Sequence, residues 1–160
     1  MIRTKDSTAL VRDLSTRLAP DRVPSVVGRL RLAYDVGRKE MLARIHAAGH
    51  PDVTTAMIAL FRFAGVDRRR PGEIAVTARL SKQATNDMLR ELERLGYIRR
   101  HPDPTDGRAR IIRLTKRGQA LDRAVWTAGR DAEQSWHDRF SDKQWTTFNQ
   151  VLDALIKAAQ

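Results

Sequence analysis

The hydrophobic period changes inside one short central stretch, and that change restricts the fold more than any other feature of the chain. Pro71 stands where a helix can begin, because its missing N–H is not needed in a first turn, and Ile74, Ala75, Ala78 and Leu80 follow at helical spacing. A helix from about Pro71 to Ala78 is predicted, with only a few residues between it and the next. Ser81 can cap a second helix whose inward positions Ala84, Met88, Leu92 and Leu95 are spaced 4, 4 and 3, and Gly96 closes it. The pattern then becomes that of strands, Tyr97–His101 and Ile111–Leu114, around a turn at Pro102–Gly107. Two short helices in a tight pair, followed at once by a hairpin, leave few architectures open.

The flanks are helical. Val23, Val27, Leu30, Tyr34, Gly37, Met41, Ile45 and Ala48 recur every three or four residues, which predicts a helix from about Arg22 to Ala48, stopped by Gly49, His50 and Pro51. Thr54 or Thr55 opens an apolar helix through Met57, Ile58, Leu60, Phe61 and Phe63 that ends near Gly65. Thr115 or Lys116 begins a long helix through Leu121, Val125, Ala128, Ala132 and Trp136. Ser141 with Gln144 forms a capping-box pattern for a last helix, whose apolar face is Trp145, Phe148, Leu152, Leu155 and Ile156. Leu10, Leu14 and Leu18 allow a short helix or an arm over residues 1–20. The expected fold is mainly α with a small β-wing, a single domain over residues 21–160 with 41% apolar side chains to build its core.

The absence of cysteine excludes disulfides, thiolate metal sites and thiol redox switching. No run approaches the ~18 apolar residues of a membrane span, and the first residues lack an export signal, so a soluble, cytoplasmic protein without a membrane partner is expected. The net charge is +11, from 30 Lys and Arg against 19 Asp and Glu. It is uneven: residues 1–61 sum to +4, residues 62–117 to +8 and residues 118–160 to −1. An anionic polymer is the expected partner of the central third, while the near-neutral C-terminal third is suited to packing or pairing.

A tight helix pair with a basic hairpin behind it has the parts of a winged helix-turn-helix. A helix can enter a major groove about 12 Å wide, where its N-terminal face reaches base edges, and that face here is Ser81, Lys82, Gln83, Thr85, Asn86 and Arg90. Gln83 and Asn86 can pair bidentately with adenine, whereas Lys82 suits guanine or a phosphate. In the hairpin, Arg99, Arg100, Arg108, Arg110, Arg113, Lys116 and Arg117 would repel one another unless an anion such as the phosphate backbone offsets their field. Asp106 is positioned to steer Arg108 into a narrow minor groove. Double-stranded DNA is the partner this constellation fits.

Ile74-Ala75, Ser81, Leu92-Glu93, Gly96 and the string DPTDGRARIIRLTKRG from Asp103 to Gly118 resemble the MarR family of bacterial transcriptional regulators over most of the chain. The resemblance implies a homodimer, with residues 21–50 and 118–160 as dimerisation helices and residues 54–117 as the DNA-binding lobe. It further implies recognition helices in successive major grooves of an inverted-repeat operator and Arg108 in the minor groove, oriented by Asp106. A ligand-responsive repressor is the function that follows. The resemblance also allows a small aromatic or anionic ligand, for which Tyr34, Arg38, His46, Phe61 and Phe63 are candidate lining residues, although the same periodicity makes most of them core. Two positions depart from the family pattern: Thr85 stands where an apolar residue is usual, and Asp87 can pair with Arg90 or Lys82 or accept from a cytosine amino group.

Other signals are weaker. His46 and His50 have metal-ligand spacing, but Gly49 and Pro51 break the helix there, so no metal or other cofactor is expected. Trp126, Trp136, Trp145 and Phe148 suit packing better than a ligand cavity. No phosphate loop, nucleophile elbow or HExxH string is present, and His101 and His137 have no evident catalytic partner, which argues against an enzyme. The rival readings are a sequence-tolerant nucleoid or RNA-binding protein and a winged helix used for protein–protein assembly.

Overall fold

A computed structural model describes residues 25–158, without the side chains of residues 63 and 64; the 1–20 arm, with Leu10, Leu14 and Leu18, lies outside the described residues. The chain divides into two compact units, Met1–Glu40 and Met41–Gln160. In the first, the Ser25 hydroxyl accepts the Gly28 N–H at 3.2 Å and caps the start of helix α1 (Val26–Ala47). Asp35 in this unit pairs with Arg31 at 3.1 Å and with Arg38 at 3.4 Å.

The second unit begins with the last turns of α1, whose Met41 and Ile45 are buried. Gly49, at φ +98°, takes the left-handed turn that ends the helix. The Thr54 side chain accepts from the Met57 N–H and caps α2 (Thr55–Ala59), which widens into a π-type turn over Leu60–Ala64. Helix α3 (Pro71–Ala78) ends at Arg79, which adopts φ +54° in the tight turn before α4 (Lys82–Arg94). As expected, Ser81 caps α4, its hydroxyl accepting the Ala84 N–H at 3.1 Å.

Strands β1 (Ile98–Asp103) and β2 (Asp106–Leu114) form the antiparallel wing, with Ile98 opposite Leu114 and Asp103 opposite Asp106. The ladder is longer than the hydrophobic pattern predicted, because polar and basic residues continue it past the apolar pairs. A register irregularity falls between Pro102 and Asp103. Residues 68 and 69 add a strand-like edge: Arg68 donates its N–H to the Ile112 carbonyl at 2.7 Å, and the Ile112 N–H reaches the Arg69 carbonyl at 2.9 Å. Thr115 caps α5 (Lys116–His137), and Ser141 with Gln144 forms the capping box of α6 (Asp142–Lys157).

Ile45, Leu60, Ile74, Leu89, Leu92, Tyr97, Ile98, Ile112 and Leu121 make the centre of the core. The buried stripe of α4 is Thr85, Leu89 and Leu92, one residue round from the predicted Ala84 and Met88, which are half-buried. The two stripes share Leu92, and a helix face about 100° wide admits both, so packing on α3 and β1 decides between them. Thr85 is therefore a correction: it was expected on the groove-facing side, yet it is 0% exposed and its Oγ1 has no hydrogen-bond partner. Burying an unpaired hydroxyl costs about 1–3 kcal/mol, whereas a same-shaped methyl costs nothing of the kind. Thr85→Val should raise the unfolding free energy by about 1 kcal/mol in denaturant titrations, and a loss would show that the hydroxyl is satisfied in solution.

Candidate nucleic-acid interface

With Thr85 turned inward, the outer face of the first two turns of α4 carries Ser81, Lys82 and Gln83 exposed and Asn86 half-buried. The Asn86 amide nitrogen donates to the Lys82 carbonyl at 2.9 Å, so its carboxamide lies along its own helix and must rotate away to meet a base. Asp87 pairs with Arg90 at 2.8 Å, which selects one of the alternatives left open by the sequence. Both side chains of that pair are exposed, so it is worth at most about 1 kcal/mol and remains breakable.

The wing cations fall into two groups. Arg100 bonds Glu93 through its backbone N–H and its Nε, both at 3.2 Å; Arg113 stands 3.5 Å from Asp67; Arg117 reaches Asp52 at 2.7 Å. These three are neutralised within the molecule. Arg99, Arg108, Arg110 and Lys116 meet no carboxylate among the described residues, and Arg108 is exposed beside the tip. The sequence cluster thus overstated the free charge, yet the cations it leaves free include Arg108.

Asp106 meets Arg108 through the main chain: its Oδ1 accepts the Arg108 backbone N–H at 3.1 Å, so its carboxylate fixes the chain at Arg108. Asp103 was read as a turn residue but is buried at the base of the tip. Its Oδ1 accepts both the N–H and the hydroxyl of Thr105 at 2.8 Å, and its Oδ2 receives Arg70 Nε at 2.6 Å. The two bonds from Thr105, with the one from Arg70, hold the Asp103 carboxyl down at about 2, so it is an anion at neutral and mildly acidic pH.

Behind the wing lies a second polar cluster. Tyr97 OH donates to Asp52 Oδ1 at 2.5 Å and accepts from His50 Nδ1 at 3.1 Å, while Arg117 lies over the tyrosine ring at 4.3 Å. Burial, then the Arg117 charge, lowers the His50 pKa. Burial and the bond to Asp52 push the Tyr97 phenol up. This cluster ties the 49–54 turn to β1 and α5, and neither periodicity nor charge counting located it. The imidazole of His50 is occupied by Tyr97, and His46 Nε2 meets the Val53 carbonyl at 2.8 Å. His137 meets Asp142 at 3.1 Å and stacks on Trp145. No grouping of three metal-ligating side chains occurs among the described residues.

Of the candidate ligand-lining residues, Tyr34 and Arg38 belong to the first unit and His46, Phe61 and Phe63 to the second. Arg38 stands 5.8 Å from the Tyr34 ring centre in the first unit. Phe61, in the second, is 1% exposed and belongs to the core; the Phe63 side chain lies outside the described ones. Arg70 was missed as a site residue, since a run of three arginines signals only charge. No described helix is long and apolar enough to cross a membrane.

Comparison with known proteins adds relatives. A model of the MarR family matches residues 48–109. The transcriptional regulator HosA of Escherichia coli O111:H- is 30% identical over 110 residues, covering 68% of this chain and 81% of that one. The HTH-type transcriptional repressor Rv2887 of Mycobacterium tuberculosis is 30% identical over 134 residues, 78% of this chain and 96% of its own. The structure of Rv2887 in complex with salicylic acid matches with a TM-score of 0.62 at 27% identity, over 86% of this chain and 99% of that one. A Staphylococcus aureus MepR mutant bound to an oligodeoxyribonucleotide shares the fold, with a TM-score of 0.55 at 19% identity over 86% of this chain and 100% of that one.

Proposed function

Since the chain belongs to the MarR family of transcriptional regulators, we propose that it is a homodimeric, sequence-specific repressor that binds an inverted-repeat operator. In this reading α4 enters the major groove and the wing grips the neighbouring backbone, with Arg108 in the minor groove. One observation carries it: the polar start of α4 and the wing cations left without carboxylates are exposed in the same compact unit. Gln83 and Asn86 then read bases, and Ser81, Lys82, Arg99, Arg110 and Lys116 meet phosphates. Arg90 can join them by leaving Asp87, and Arg100 only by leaving Glu93.

The oligonucleotide complex of the MepR mutant supports DNA as the partner. The salicylic acid complex of Rv2887 supports a small aromatic acid as the class of ligand that releases the operator. Arg38, which stands over the Tyr34 ring, can meet such an acid by leaving Asp35.

The test is enrichment of genomic fragments by the purified protein, followed by competition against bulk DNA at ~0.15 M salt with and without salicylate. A specific regulator keeps a preference of about a thousandfold. Failure to enrich an inverted repeat favours the sequence-tolerant reading. Arg108→Ala is expected to weaken operator binding about tenfold and to lower the slope of affinity against salt by about one ion. Unchanged affinity would favour a winged helix used for protein assembly.

A further inference from the structure

We propose that Arg70 is a positioning residue that sets the attitude of the wing tip, and with it the reach of Arg108. The inference rests on the reading that Arg108 meets DNA. A two-stranded hairpin is marginal by itself, and its free end frays first. Here the ladder is also irregular between Pro102 and Asp103, just below the tip, so main-chain bonds alone do not fix where Arg108 points.

Arg70 supplies the missing constraint from a rigid base. Glu73 Oε2 accepts its backbone N–H at 3.0 Å, and its carbonyl accepts the N–H groups of Glu73 and Ile74 at 3.0 and 3.1 Å. The preceding residues are hydrogen-bonded to Ile112 of β2, so the Arg70 backbone is anchored to helix and wing base together. From there its guanidinium spans the two tip carboxylates: Nε meets Asp103 Oδ2 at 2.6 Å and Nη1 stands 3.9 Å from Asp106 Oδ2. Asp103 holds Thr105, and Asp106 holds the Arg108 N–H. A path of side-chain contacts therefore runs from the first turn of α3 to the backbone of Arg108.

Arg70 is partly exposed, and pairs of that kind add little to stability. What the guanidinium contributes is orientation: its Nε holds Asp103 by a hydrogen bond while its charge stands 3.9 Å from Asp106, a spread that the point charge of a lysine does not supply. An Arg70 side chain acting only as one more phosphate contact would behave differently, and a double-mutant cycle separates the two.

In the free protein, Arg70→Ala is expected to speed amide exchange at Thr105 and Arg108 about tenfold while leaving Ile112 unchanged. On operator DNA, Arg108→Ala should cost about tenfold in the parent chain but about twofold or less in the Arg70→Ala background, and Arg70→Lys should behave like Arg70→Ala. Equal costs in both backgrounds, restoration by lysine, or an unchanged tip exchange rate overturns the inference. If Arg70→Ala does not fold, Asp103→Asn releases the same contact from the tip side and enters the same cycle. Loss of any Arg108→Ala effect in the parent chain would instead sink the DNA reading and take the inference with it, while an additive cycle sinks the inference alone.

Discussion

Gly118→Ala is expected to abolish cooperative folding at physiological temperature, although helix propensity taken alone favours alanine by about 1 kcal/mol. Gly118 sits in the first turn of α5, where a Cβ would lie 1.9 Å from the Tyr97 carbonyl oxygen, 3.0 Å from the Tyr97 carbonyl carbon and 3.1 Å from Leu114 Cδ2. The oxygen cannot step aside. It accepts the Thr115 N–H at 3.0 Å and the Thr115 hydroxyl at 3.1 Å, and the same hydroxyl reaches the Gly96 carbonyl at 2.7 Å. Making room means lifting α5 off β1 by more than an ångström, which breaks the Thr115 cap and opens the packing around Tyr97, a fully buried residue. A loss above about 4 kcal/mol is expected, a large part of the 5–15 kcal/mol that stabilises a domain. Gly129→Ala is the control on the same helix, because its Cβ would only touch Met41 Cε at 3.7 Å; there propensity should win and the melting temperature should rise. Circular dichroism melts decide the matter, and a Gly118→Ala protein melting within a few degrees of the parent would refute the close approach.

The helix starts and stops were readable because local chemistry fixes them. Ser81, Thr115 and Ser141 cap helices through contacts three residues long, Gly49 and Gly96 take positive φ, and Pro71 opens a helix. What escaped the sequence is joined over long separations. Arg70 finds Asp103 across 33 positions, Tyr97 finds Asp52 across 45 and Arg117 finds Asp52 across 65. Such pairs leave no periodic trace, so counting arginines could not tell Arg117, paired with Asp52, from Arg108, which meets no carboxylate among the described residues. The inward facing of Thr85 escaped for another reason: adjacent stripes of one helix fit the same apolar spacing, and only the neighbours choose. Both errors enlarge the predicted DNA surface. The candidate surface that remains is smaller, with Ser81, Lys82, Gln83 and Asn86 on the helix and Arg99, Arg108, Arg110 and Lys116 on and beside the wing.

Val151→Lys with Leu155→Lys is expected to convert the protein to a monomer and to weaken operator binding by about a hundredfold or more, although both changes add positive charge. Helix α6 buries no residue within the chain; Phe148, Val151, Leu155 and Ile156 are 40–60% exposed, and Trp126 and Phe140 are exposed as well. Such a face marks a site of association, since each large apolar side chain gains about 1.5–3 kcal/mol on burial. The proposed homodimer supplies a second copy of the same helix as that partner. Two half-sites bound by linked lobes gain from an effective concentration near the millimolar range, and a monomer forfeits it. Lysine is the informative substitution because the net charge rises above +11, which strengthens non-specific attraction to phosphate. Any loss of affinity must then come from the broken dimer. Sedimentation velocity reads the assembly and titration of an operator duplex reads the affinity; a variant that stays dimeric, or a monomer that binds as tightly as the parent, would refute the role given to α6.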